Sequence, residues 1–111
     1  MIFIIQGRYT RDALAGMAAK PEDRGKEARK LIEAAGGTFI GSYFTFGEYD
    51  FAVVCEFANP LEATPALIAA AAGGALTDMR TTVGMQWSDA RAAFEASGKL
   101  AKGFRSAGTK K

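Results

Sequence analysis

The chain has 111 residues, of which 49% are hydrophobic and 23% charged, and its formal net charge is +2. This length and composition fit one globular domain and leave too few residues for a second core. Because the chain has no histidine and one cysteine, it cannot form an internal disulfide, a Ser-His-Asp or Cys-His catalytic site, or a histidine-ligated metal or haem centre. We therefore expect no cofactor and no metal.

The first part of the chain predicts a strand followed by an interrupted helix. Residues 2–9 are β-branched and aromatic without helical periodicity, which is typical of a strand. Thr10 is a suitable N-cap for the helix that follows. Pro21 should interrupt this helix, and apolar residues at helical spacing continue it to Gly36, where a glycine can end it.

Two apolar runs then predict a β-hairpin. Residues 38–46 and 49–57 have the composition of strands, and only Gly47 and Glu48 separate them. A two-residue Gly-X connection is typical of a type II′ turn. Cys55 lies in the second run, so we expect it to be a buried, inert thiol.

The second half of the chain predicts a helix, a fourth strand and a short terminal helix. Asn59 and Thr64 are each followed by proline, and either pair is suitable to begin the helix. The strand is expected over residues 76–87 and the terminal helix over residues 89–97, where Gly98 should end it.

This order predicts an α+β domain of the ferredoxin-like type, βαββαβ, over residues 1–97. Right-handed crossovers and one hairpin give a four-stranded antiparallel sheet in the order 4-1-3-2, with both main helices on one face. Residues 98–111 form a basic tail that we expect to be flexible and solvated. Its basic residues are Lys99, Lys102, Arg105, Lys110 and Lys111. Binding of nucleic acid by the tail is the alternative, but only Phe104 could stack on a base, so we expect no nucleic-acid partner.

The sheet is predicted to be apolar on both faces. Residues 2–5 and 51–54 are consecutive apolar residues, whereas a sheet with one solvated face should alternate. Monomers rarely expose more than a few hundred Å² of contiguous apolar surface. A second copy packed face to face is the simplest cover, so we predict a homodimer or a higher homo-oligomer.

The chain carries no sign of export or of membrane insertion. Its first residues lack the basic region of a signal peptide, and residues 65–76, the longest apolar stretch, are too few to span a bilayer. We therefore expect a cytoplasmic protein without membrane contact.

Three short sequences in register with this order resemble the GYD domain family. They are Gly-Arg-Tyr-Thr at 7–10, Glu-Ala-Ala-Gly-Gly at 33–37 and Gly-Glu-Tyr-Asp-Phe at 47–51. The last matches the Gly-x-Tyr-Asp hairpin of the family. The resemblance covers residues 1–96 and implies a dimeric α/β barrel of the ferredoxin-like group. Most members of the GYD family have no assigned activity. The wider group includes cofactor-independent monooxygenases, isomerases and haem-handling enzymes, and the missing histidine argues against the last.

The candidate site residues lie on or beside the sheet face away from the predicted helices. They are Arg8, Tyr43, Tyr49, Asp50, Arg80 and Trp87. By alternation Arg8, Asp50, Asp78 and Arg80 would form a mixed-charge cluster that could bind a small organic acid through arginine. The alternative is a set of ion pairs between strands or subunits. Asp50 itself is either a base at the mouth of a cleft or an acceptor of backbone N–H bonds from the turn at Gly47.

These observations predict a dimeric domain that binds a small organic molecule or a protein partner. The alternative is a cofactor-free enzyme, similar to a monooxygenase or an isomerase, acting in the cleft between the sheet and its dimer partner. No group of residues meets the geometric demands of catalysis from the sequence alone, so this choice stays open.

Overall fold

The computed structural model describes residues 1–108 and contains four strands and four helices. In chain order they are β1 (Ile2–Tyr9), α1 (Arg11–Ala19), α2 (Arg24–Ala34), β2 (Thr38–Phe44), β3 (Phe51–Glu56), α3 (Pro60–Ala72), β4 (Leu76–Gly84) and α4 (Trp87–Gly103). The strands form one antiparallel sheet in the order β2-β3-β1-β4, which is the predicted order read from the other edge. The predicted ferredoxin-like fold is confirmed. Of the predicted basic tail, Lys110 and Lys111 lie outside the described residues.

Side-chain caps set where the first helices begin. The hydroxyl of Thr10 accepts a hydrogen bond from the backbone N–H of Ala13 at the start of α1. Asp23 does the same for α2, where its carboxylate accepts from the N–H groups of Gly25 and Lys26. Each bond satisfies a donor that has no partner within the helix. The predicted interruption near Pro21 is confirmed, since α1 ends before it and α2 begins after it.

The structure selects the first of the two predicted starts for α3. The side-chain oxygen of Asn59 accepts from the N–H of Glu62 at 3.0 Å, and the helix begins at the proline after Asn59. Thr64 therefore lies inside the helix, where its hydroxyl donates to the carbonyl of Pro60.

The predicted two-residue hairpin between β2 and β3 is wrong. The last backbone pair is Thr45 N–H to Asp50 carbonyl at 2.9 Å, so four residues form the loop. Two side chains hold this longer loop: the Thr45 hydroxyl donates to the Tyr49 carbonyl, and Arg8 Nε donates to the Glu48 carbonyl. A two-residue turn could not form these two hydrogen bonds.

The predicted end of the terminal helix at Gly98 is also wrong. Strand β4 ends at Gly84, three residues earlier than predicted, and α4 continues through Gly98 to Gly103. A glycine costs a helix about 1 kcal/mol relative to alanine, but it ends the helix only where it adopts the left-handed conformation. The residues after Gly98 favour helix, and α4 ends where Phe104 leaves the helical conformation.

The core lies on one face of the sheet, beneath α2 and α3. Its buried side chains are Phe3, Ile5, Ile32, Phe51, Val53, Cys55, Phe57, Ala63 and Ala66. The predicted burial of Cys55 is confirmed, and this burial raises the pKa of its thiol. The alternate residues of β1 and β3, including Ile4 and Val54, point to the opposite face, which we call the outer face.

Gly37 is required by the packing of Phe57. A Cβ added at Gly37 would lie 2.6 Å from the Phe57 ring, a distance that packed atoms do not reach. We expect Gly37→Ala to lower the free energy of unfolding by about 1–3 kcal/mol because the buried ring must shift. Urea denaturation measures this loss.

Gly16→Ala is the matched control for this prediction. Gly16 lies within α1, and an added Cβ there meets nothing within 4 Å. The same substitution should therefore raise stability by up to about 1 kcal/mol through helix propensity. Equal effects of the two variants would contradict the proposed contact.

Candidate functional site

The predicted site residues occupy three places in the fold. Arg8, Tyr49 and Asp50 lie where β1 meets the β2–β3 loop, and Trp87 begins α4. Tyr43 and Arg80 lie on the outer face of the two edge strands. They share one row across the sheet, since Tyr43 pairs with Ala52, Ala52 with Gln6, and Gln6 with Arg80. Three strand spacings separate them, about 14 Å.

Arg8 and Asp50 fasten the β2–β3 loop to the end of β1. Arg8 Nε donates to the Glu48 carbonyl at 2.7 Å, and the Asp50 N–H donates to the Gly7 carbonyl at 2.8 Å. The Asp50 carboxylate accepts from the Tyr9 N–H at 2.9 Å. Tyr9 pairs with Leu76 of β4 on one side, and because β3 begins only at Phe51, the Asp50 carboxylate takes the place of a strand partner on the other side. The backbone donor to Asp50 is thus on β1, not in the turn at Gly47 as predicted.

The predicted ion pairs between strands are wrong for the part of the chain that the structure describes. No salt bridge there joins Arg8, Asp50, Asp78 and Arg80. The register of β1 with β4 shifts between Gln6 and Arg8, and Asp78 has a φ of 52°. This bulge breaks the alternation on which the cluster was predicted. Arg80 Nη1 donates instead to the Met79 carbonyl, and Asp78 accepts from Thr77.

A cavity lies on the helix side of the sheet, in the cleft between α2 and α3. Its volume is about 330 Å³, and none of the six predicted site residues lines it. Ile5, Phe51 and Val53 of the sheet contribute to its lining. Leu67 of α3 lines the cavity, but the other residues that α3 and its C-cap contribute are small: Ala66, Ala69, Ala70 and Gly73. The space exists because these side chains are too short to fill the gap between the two helices.

Four polar side chains line the cleft near the start of α2. They are Tyr9, Arg24, Glu27 and Ser42. Arg24 is close enough to Tyr9 to act on its ionisation, and it also forms an exposed ion pair with Glu22 at 3.1 Å. Ser42 lies beside Gly25 of the same helix. The cleft is therefore apolar along most of its walls and polar in one region.

The surroundings of Tyr9 in the cleft perturb its ionisation. Its ring packs against Phe51 with centroids 5.3 Å apart. Desolvation by this packing raises the pKa of Tyr9, the Asp50 and Glu22 carboxylates raise it further, and the Arg24 guanidinium opposes them. The hydroxyl therefore stays protonated at neutral pH and can donate a hydrogen bond into the cleft.

Sequence reasoning missed the cleft because it placed the site on the outer face. The available signal was the alanine-rich stretch that became α3. A helix that packs on a sheet through alanine and glycine leaves a cavity between itself and the strands. The predicted strand and helix order would then have indicated which polar residues line that cavity.

The raised pKa of Tyr9 predicts a loss of stability in alkaline solution. The phenol of the unfolded chain ionises near 10.0, below the pKa in the folded protein. The contribution of the Tyr9 phenol to the free energy of unfolding is therefore fully present below about pH 10, and it is lost as the pH rises through the pKa of the folded protein. We expect Tyr9→Phe to show a smaller decline between pH 9 and 11 in urea titrations, with the exposed Tyr43→Phe as control. Parallel curves for wild type and Tyr9→Phe would contradict the burial of this hydroxyl.

The Asp50 carboxylate predicts a stability effect at the β2–β3 loop. Asp50→Ala leaves the partly buried Tyr9 N–H without its acceptor, which should cost about 1–3 kcal/mol of unfolding free energy. Asp50→Asn keeps an oxygen acceptor and should cost less. Glu48→Ala is the control, because only the backbone carbonyl of Glu48 is used. A loss with Glu48→Ala equal to that of Asp50→Ala would refute this role.

Neither a metal-binding cluster nor a membrane-spanning helix is found within residues 1–108. There is no group of three or more cysteine, aspartate or glutamate side chains that could hold a metal ion within that range. No helix there is both long and apolar enough to cross a bilayer.

Comparison with known proteins gives the family of the chain. No curated protein matches it. Among solved structures, it is similar to the hypothetical protein PHS023 from Pyrococcus horikoshii, with 15% sequence identity and a TM-score of 0.46, over 78% of this chain and 92% of that chain. The family model described as the GYD domain matches residues 3–94, most of the sheet and its helices. The chain therefore belongs to the GYD domain family.

Proposed function

We propose that this GYD domain binds a small organic molecule in the cleft between α2 and α3 and works as a homodimer. The observation that carries the binding proposal is the cleft itself. Its volume of about 330 Å³ falls at the small end of the range of known ligand pockets, about 300–1,000 Å³. Such pockets are mostly apolar with a few polar groups that orient the ligand, which is the distribution found here.

The lining favours a ligand that is mostly apolar and uncharged. Arg24 and Glu27 bring opposite charges to the polar region, so neither a free carboxylate nor an ammonium group is favoured by the site as a whole. The protonated Tyr9 can donate to a carbonyl oxygen, and the hydroxyl of Ser42 can either donate or accept. A small ring or short chain with one hydroxyl or carbonyl group fits these constraints.

The proposal of a homodimer rests on the outer face of the sheet. Ile2, Ile4 and Val54 lie there on the central strands, and Ile40 and Tyr43 on β2 are 54% and 64% exposed. A second copy would bury this surface by packing sheet against sheet, as the sequence predicts. The cleft lies on the opposite side of the sheet, so dimerisation would leave it open.

The predicted site on the outer face becomes part of the interface in this proposal. Arg8, Tyr43 and Arg80 would lie between or beside the two sheets, where an organic acid could contact the arginines. Trp87 follows the end of β4 and would lie near the edge of the same face. Catalysis between the sheets, the alternative from the sequence, stays a prediction.

Filling the cleft tests the binding proposal. Ala70→Phe should occupy the cavity, because Ala70 lines it from α3. We expect phenol and cyclohexanone, used as probes, to shift the NMR signals of Tyr9 and Ser42 in the wild type. The variant should show at least tenfold weaker shifts at equal probe concentration.

Ala71→Phe is the matched control for the cleft. Ala71 is exposed, is adjacent on the same helix and does not line the cavity. This variant should bind the probes as the wild type does. Binding that survives in Ala70→Phe, or no binding of either probe at millimolar concentration, would overturn the proposal.

A charge on the outer face tests the dimer. Ile4→Lys places an ammonium group at the centre of the proposed interface and should convert the dimer to a monomer in light scattering after gel filtration at low micromolar concentration. Thr81→Lys adds the same charge to the neighbouring strand but on the helix side, since Thr81 pairs with Ile5. The control should remain dimeric. Circular dichroism verifies that both variants fold, and an Ile4→Lys protein that stays dimeric at low micromolar concentration would argue against the sheet interface.

A further inference from the structure

Helix α4 is an amphipathic helix whose apolar side has no cover. None of its residues is buried. Trp87, Phe94 and Leu100 are 83%, 68% and 73% exposed, and Phe104, the residue that ends the helix, is 73% exposed. Ordinary surface helices turn their polar side outward and bury the apolar one. In a single copy, α4 therefore lacks the packing contacts that the apolar side of an amphipathic helix normally makes.

A helix of this length gains little stability without a partner. Its 17 residues span about 25 Å, and isolated helices near this length are marginal in water. Gly98 in its interior and Gly103 at its last position lower its helix propensity further. A packing partner for the apolar side would supply the stabilisation that the helix lacks.

The spacing of the apolar side is that of a helix-pairing seam. The residues follow steps of three and four, which is the heptad pattern of positions that face a second helix. They are Trp87, Ala90, Phe94, Ser97, Ala101 and Phe104. Ala90, Ser97 and Ala101 are small enough for two backbones to approach closely. A helix that lies in a lipid surface would instead favour large apolar residues along this seam.

We infer that α4 pairs in antiparallel orientation with α4 of a second copy of this chain. A twofold axis near residues 95 and 96 would place Phe94 against the partner's Ser97, Ala90 against the partner's Ala101, and Trp87 against the partner's Phe104. Each pair then occurs twice, as a symmetric contact requires. Phe94, the aromatic residue in the middle of the seam, then packs against a small side chain, the partner's Ser97.

The charges of α4 select the antiparallel orientation. Asp89, Arg91 and Glu95 give the first half a net charge of −1, whereas Lys99 and Lys102 make the second half positive. Antiparallel pairing puts the positive half of one helix beside the negative half of the other. Parallel pairing would put like charges side by side, which costs energy.

This pairing goes beyond the proposed sheet dimer and does not depend on it. The seam lies on α4, whereas the sheet interface lies on β1, β3 and β2. If one twofold axis serves both contacts, the result is a dimer, and if two axes serve them, the result is a tetramer.

A variant series in the Ile4→Lys background separates the two contacts. In that background we expect a dimer held by α4 at high micromolar concentration, and adding Phe94→Glu should weaken it at least tenfold in sedimentation equilibrium. Ala92→Glu adds the same charge on the opposite side of the helix and should leave the dimer unchanged. A background protein that is monomeric at all concentrations would overturn the pairing, as would a Phe94→Glu effect no larger than that of Ala92→Glu.

Spin labels test the orientation without a disruptive variant. In an otherwise unchanged protein, nitroxides at Ala96→Cys should lie close across the axis, whereas those at Asp89→Cys should be offset along the helix by about 20 Å. The buried Cys55 takes no label under native conditions. Equal distances at the two positions would establish parallel pairing and overturn the inference. The absence of any distance between copies, with α4 instead binding vesicles of anionic lipid, would overturn it too.

Discussion

The rest of the structure depends on β1 and β3 being apolar on both faces. On one face Phe3, Phe51 and Val53 form the core with α2 and α3. On the other, Ile4 and Val54 lie beneath no layer of the same chain. Burial of apolar surface is the largest favourable contribution to folding, about 25 cal/mol per Å², so the second face represents stabilisation that one copy leaves unused. The dimer is proposed because one apolar face of the sheet is covered by helices and the other is not.

The GYD sequence that identifies the family has a structural task in this chain. Asp50 accepts from the Tyr9 N–H, and its own N–H donates to the Gly7 carbonyl. These bonds extend the ladder of β1 past the point where β3 begins, and they fix the end of β1 from which Tyr9 reaches the cleft. The motif therefore acts on the candidate site indirectly, by positioning Tyr9, whose pKa the same carboxylate helps to raise.

The strand order could be predicted because hydrophobic runs, caps and crossover handedness depend on local sequence. Thr10 and Asn59 mark helix starts in the sequence and cap helices in the structure. Two of the errors arose where a contact distant in sequence decided a local conformation: Arg8 bonds to the β2–β3 loop across the sheet, and the bulge at Asp78 depends on pairing with β1. The cleft was missed for a related reason, since it is formed by side chains that fail to fill a space.

The central claim is that two copies meet through their outer sheet faces, and isotope-filtered NMR tests it directly. Equal amounts of methyl-labelled and unlabelled chain would be mixed, unfolded and refolded together. The account predicts nuclear Overhauser contacts between copies from the methyl groups of Ile4 and Val54, and none from Val53 in the core. Contacts between copies that involve α4 alone, or no contacts between copies at micromolar to millimolar concentration, would contradict it.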